Sequence, residues 1–197
     1  MSQGRLEAFS DGVIAIIITI MVLEMKAPEG AELDSLRPVL PAFLSYVLSF
    51  IYVGIYWNNH HHLFHAAQRV SGMTLWANLH LLFWLSLIPF VTRWMGASHF
   101  GTWPVVAYGL VLLMSAVAWE IMRRVLLRCH DGDSALIKAL GGNFKEGASL
   151  ILYAAGIGLA FVNTGIACTL YGLVAAIWFV PDRRIEREIQ TTRQCYR

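Results

Sequence analysis

The chain has 197 residues, 57% of them hydrophobic and only 14% charged, with a formal net charge of +2 and a mean hydropathy of +0.56. That profile excludes an ordinary soluble domain and a disordered chain, and it predicts an all-α integral membrane protein. The small net charge gives no sign of a nucleic-acid partner, because membrane topology accounts for the basic residues.

In chain order, apolar runs predict six transmembrane helices at about 6–25, 39–62, 72–95, 103–127, 147–163 and 165–181. Most breaks fall at Pro28, Pro38, Ser71-Gly72, Gly101 with Pro104, Gly141-Gly142, and Asn163-Thr164-Gly165. The last two spans share one tight turn, and each is barely long enough to cross. The Arg5-led start resembles a signal peptide. However, Asp11 splits the expected apolar region and no small-x-small site precedes Glu24 and Lys26, so the segment is expected to be retained. Residues 1–181 read as one six-helix domain, and 182–197 as a charged cytoplasmic tail.

Orientation follows from Lys and Arg. With a cytoplasmic N-terminus the inner side receives Arg5, Arg69, Arg123, Arg124, Arg128, Lys138, Lys145, Arg183, Arg184, Arg187, Arg193 and Arg197; the outer side receives Lys26, Arg37 and Arg93. That positive-inside bias requires an even number of spans and predicts both termini inside the cell.

The first span is the most informative. Twelve uncharged residues separate Asp11 from Glu24, roughly 18 Å of helix, whereas a bilayer core is about 30 Å thick. Asp11 or Glu24, and with them Glu7, must therefore sit near or within the membrane boundary against protein partners or water. At 100° per residue, Arg5, Gly12, Ile16, Thr19 and Leu23 fall in one stripe with Phe9 and Ile20 on its flank, while Glu7 and Asp11 lie well away from it. Two readings remain open on periodicity alone. The stripe is either a lipid-facing or bundle-core surface, or the wall of a pore that closes by expelling water. Asp11 and Ser10 are expected to pin the helix to its neighbours, with Arg5 or a histidine as countercharge. Arg5 has a second reading as an inner-face topology signal.

Enzyme chemistry has no foothold, and no cofactor is expected. There is no Gly-rich phosphate loop, nucleophile elbow or HExxH, and Cys129, Cys168 and Cys195 lack metal-site spacing. His60, His61, His62 and His65 raise a different possibility, because His61 and His65 share a helical face at a spacing that suits a divalent metal. A zinc-type transporter is therefore an alternative, although no Asp, Glu or Cys sits mid-membrane in spans two to four. A non-conducting membrane scaffold is a third. No helix carries Arg at every third position, which argues against a voltage sensor.

Three ordered motifs carry a resemblance. Arg5-Leu-Glu-Ala-Phe9-Ser10-Asp11 is similar to the RxxxFSD signature of the transmembrane-protein-175 family of potassium channels. Tyr56-Trp57-Asn-Asn-His60-His61-His62-Leu63-Phe64 resembles that family's YWxxHHxLF, and Asn78 to Thr92, ending Ser86-Leu-Ile-Pro89-Phe90-Val-Thr92, resembles its third-helix pattern. The resemblance is close over the first half and implies passive potassium permeation, modestly selective over sodium, in a multi-pass protein of the cell membrane that contacts lipid. It implies a homotetramer with helix one around the pore, and this chain lacks TVGYG as the family does. The constriction positions it implies are Ile16, Thr19 or Ile20, and Leu23, which fall on the stripe above. It places Trp57, His60 and His61 in a network around Arg5, Phe9, Ser10 and Asp11; His62 and His65 lie outside the motif.

Overall fold

The computed structural model describes residues 3–28, 30–67, 70–129 and 144–179. Among them the chain is helical: α1 (Gln3–Leu23), a 3₁₀ turn (Leu33–Val39), α2 (Leu40–Ala66), α3 (Gly72–Ser86), α4 (Ile88–Ala97), α5 (Thr102–Arg128), α6 (Phe144–Leu159) and α7 (Thr164–Phe179). Gly141-Gly142, the tail 182–197 with Cys195, and seven of the inner basic residues (Arg69, Lys138, Arg183, Arg184, Arg187, Arg193 and Arg197) lie outside the described residues.

Four stretches are long and apolar enough to cross a membrane: Gln3–Leu23, Leu33–His65, Gly72–Ala97 and Thr102–Arg128. The protein is a multi-pass membrane protein. Thr164–Phe179 is equally apolar but shorter; sixteen residues rise only about 24 Å.

The third predicted span is not one continuous helix. It breaks at Leu87 into α3 and α4, with Pro89 in the first turn of α4. Proline has no N–H and its ring crowds the carbonyl four residues back, so the ladder cannot pass through it. At the start of α3, Ser71 and Thr74 form a reciprocal capping box, which satisfies two otherwise orphaned amides. At the α6–α7 turn the Asn163 carboxamide accepts from the amides of Gly165 and Ile166 at 2.8 and 3.2 Å. The predicted break there is a side-chain cap on α7.

α1 packs on α2, α3 and α4, while α5 bridges α3 to α6 and α7. Two close approaches fix this arrangement. A Cβ on Gly96 of α4 would lie 2.6 Å from the Ala42 Cα of α2, so only glycine lets these backbones meet. Gly109 of α5 and Gly156 of α6 form a slot for Tyr171 of α7: added Cβ atoms would lie 2.0 Å from its hydroxyl and 2.5 Å from its ring. Close packing through small residues is the main adhesive between helices in lipid, where burial of apolar surface gives little.

Candidate functional site

The site is built on α1. Leu6, Ser10, Ile14, Ile17 and Met21 are buried, at successive spacings of four, four, three and four, which is one face of a helix. Ile14 and Ile17 are 1% and 3% exposed. Phe9, Ile16, Ile20 and Leu23 are uncovered within the protomer, with Ile16 at 58% and Leu23 at 81%, and Arg5, Gly12 and Thr19 are exposed with them. The two faces are separated by about 130° on a 100° wheel. The Thr19 hydroxyl donates to the Ile16 carbonyl at 2.9 Å, which leaves the oxygen lone pairs as the group Thr19 presents outward.

Three of the polar connections that hold α1 lie behind the stripe. Asp11 Oδ1 accepts from the Trp57 indole N–H at 3.0 Å. One turn earlier, Glu7 Oε1 meets His61 Nδ1 at 2.8 Å. Glu7 and Asp11 on α1 thus face His61 and Trp57 on α2, an antiparallel ladder with a four-residue step on each helix. The third connection is buried: Ser10 Oγ donates to the Leu6 carbonyl at 2.9 Å, Asn78 Nδ2 donates to Ser10 Oγ at 2.9 Å, and Asn78 Oδ1 meets His60 Nε2 at 2.8 Å.

That chain fixes the proton on His60. Because the Ser10 hydroxyl hydrogen and the Asn78 amide hydrogen are both directed along the chain, Asn78 Oδ1 can only accept. His60 must therefore donate from Nε2. Its Nδ1 is buried without a partner among the described residues.

Among the described residues of the protomer, Asp11 forms no ion pair with Arg5 or with a histidine, and its hydrogen-bond partner is the Trp57 indole. Arg5 and Asp11 are six positions apart, which places them about 120° apart on the helix. Arg5 lies on the exposed stripe with no ion-pair partner among the described residues. Asp11 is held by a neutral indole, and the histidine goes to Glu7. Asn78 is the central member of the buried chain; its position at the start of the third motif was the only sequence signal for it.

At the other end of α1, Glu24 pairs with Arg93 of α4, the partner that a carboxylate near the membrane boundary requires. This pair closes one end of a groove of about 500 Å³ lined by Val13, Ile16, Ile17, Ile20, Pro89 and Phe90. The rings of His61 and His65 stack with centroids 6.0 Å apart, and among the described residues no group of three or more His, Cys, Asp or Glu is placed to hold a metal ion.

Residues 5–89 match the family model described as the endosomal/lysosomal potassium channel TMEM175. A potassium channel of Chryseobacterium sp. (strain P1-3) is 57% identical over 96% of this chain and 99% of its own length. The chain belongs to the TMEM175 family. A potassium channel of Chamaesiphon minutus (strain ATCC 27169 / PCC 6605) is 38% identical over 89% of this chain and 92% of its own length. The crystal structure of a lysosomal potassium-selective channel TMEM175 homolog from the same species superposes with a TM-score of 0.78, at 26% identity, covering 90% of this chain and 96% of that one. The human endosomal/lysosomal proton channel TMEM175 is 36% identical over 42% of this chain, which is 19% of the human protein. These relatives are ion channels, not enzymes.

Proposed function

We propose that this member of the TMEM175 family is a passive potassium channel of the cell membrane, modestly selective over sodium, formed by a homotetramer with α1 around a central pore. The observation that carries the reading is the division of α1 into a buried face, Ser10, Ile14 and Ile17, and an uncovered one, Ile16, Thr19, Ile20 and Leu23. One copy of the helical unit cannot encircle a pore with its single first helix, so the uncovered stripe needs further copies, and cyclic assembly supplies them. The six-crossing plan with both termini inside the cell completes the topology, α6 and α7 being the two short spans.

Ile16 and Leu23 side chains then form two aliphatic rings about 10 Å apart along the axis, with the Thr19 oxygens between them. An aliphatic ring offers no oxygen to replace a hydration shell, so an ion passes only by losing part of that shell or by wetting the constriction. Potassium holds its water less tightly than sodium, which favours it modestly. The ladder of Glu7, Asp11, Trp57 and His61 and the buried chain of Ser10, Asn78 and His60 orient the stripe from behind without touching the ion. Arg5 and Phe9 flank the same uncovered face.

The test is ion flux into liposomes containing the purified chain. Potassium flux should exceed sodium flux. Ile16→Asn or Leu23→Ala should raise total flux and weaken discrimination, while Ile17→Asn should leave the ratio unchanged in whatever protein assembles. Zinc uptake without monovalent flux would refute the proposal. Control of the ratio by Ile17 instead of Ile16 would refute the pore face.

A further inference from the structure

The outer end of α1 carries charges that the aliphatic stripe does not use. Glu24 directly follows Leu23, the last residue of the stripe, and its amide still donates to the Ile20 carbonyl at 3.1 Å. Its carboxylate pairs with Arg93 of α4. A pair that only sealed the membrane boundary would be buried. This one is open, with the Arg93 side chain 54% exposed and that of Glu24 35% exposed.

The pair lines two openings. One is the groove it shares with Ile16 and Ile20 of the stripe; the other is a pocket of about 250 Å³ that it shares with Lys26 and His99. Glu24 is the only acidic residue that lines either opening. On the helical wheel it lies about 40° from Ile20 and 80° from Ile16, on the flank of the stripe that meets α4. Helices packed 8–10 Å apart around a fourfold axis stand about 7 Å from it, so charges on their flanks lie about 10 Å from the axis.

We propose that the Glu24–Arg93 pair sets the supply of potassium at the outer mouth: the Glu24 carboxylates draw cations toward the stripe, and Arg93 holds that attraction down. Acidic rings gather cations in this way, and here each carboxylate carries its own counter-charge. The inference rests on the reading of α1 as the pore wall. Removing one charge per copy changes four charges around the axis. At about 10 Å through water and about 20 mM salt they alter the local potassium concentration about fivefold, whereas about 1 M salt screens them out.

The test is single-channel potassium conductance of the purified full-length protein in neutral planar bilayers, in potassium chloride at about 20 mM and about 1 M. At low salt, Arg93→Gln should raise conductance by up to about fivefold and Glu24→Gln should lower it by a similar factor. Both should approach the parent at high salt. Arg93→Lys keeps the charge and should match the parent at both salts, which a purely structural role for the bidentate side chain would not allow. The sign of either charge removal decides the question if the other variant fails to assemble. Unchanged conductance of Arg93→Gln or Glu24→Gln at low salt, a change that persists undiminished at high salt, or shifts of the same sign for the two removals would overturn the proposal. Absence of potassium current in the parent protein would refute the pore reading itself, and the proposal with it.

Discussion

Asn78→Leu offers the sharpest probe of how α1 is held, because it keeps the side-chain volume and removes both bonds of the buried chain. Asn78 links Ser10 on α1 to His60 on α2, and all three residues are fully buried. In a water-soluble protein each group left unpaired would cost about 1–3 kcal/mol. Between membrane helices the unfolded reference also finds partners, and measured side-chain bonds average about 0.6 kcal/mol with a maximum near 1.7. The lower scale applies here, since α1, α2 and α3 belong to stretches long enough to cross the bilayer. Two bonds then amount to about 1–3 kcal/mol, or a fall of about 2–12 °C in thermal midpoint for a chain of this length. His60→Leu should lower the midpoint by itself, and the double variant should fall by less than the sum of the two singles, because each removes a partner the other needs. Thermal unfolding of the purified protein in detergent, followed by tryptophan fluorescence, measures all four species. A midpoint shift under about 1 °C for Asn78→Leu, or strictly additive effects in the double variant, would refute the idea that the chain holds α1.

The remaining expectations are narrower. Ile17→Ala should lower thermal stability through the cavity it opens, by up to the 2–5 kcal/mol seen in soluble cores, whereas Ile16→Ala should stay within about 0.5 kcal/mol in the protomer; unfolding in detergent separates the two. Gly96→Ala must push α2 and α4 apart, because its Cβ meets the Ala42 backbone, so it should reduce the yield of folded protein on size-exclusion chromatography, and Gly96→Leu should reduce it further. Glu24→Gln breaks only a part-exposed ion pair with Arg93, worth about 0–1 kcal/mol; its thermal midpoint should match the parent within a few degrees, and a collapse would mean the pair is buried in the assembled protein.

The sequence by itself determined the membrane class, the helical fold and the placement of most spans, because a bilayer imposes a length of apolar chain that composition cannot disguise. It also singled out α1, since acids so near its apolar stretch require partners. Which face of α1 is buried was a different matter. Both Ile16 and Ile17 are apolar, lipid and protein interior are equally tolerant of them, and hydrophobic periodicity loses the contrast it has in water. The partners decided it: Ser10, on the same face as Ile14 and Ile17, is the residue that reaches Asn78. Tertiary structure alone paired Asp11 with Trp57, Glu7 with His61 and Glu24 with Arg93, because helices distant in sequence meet only after packing.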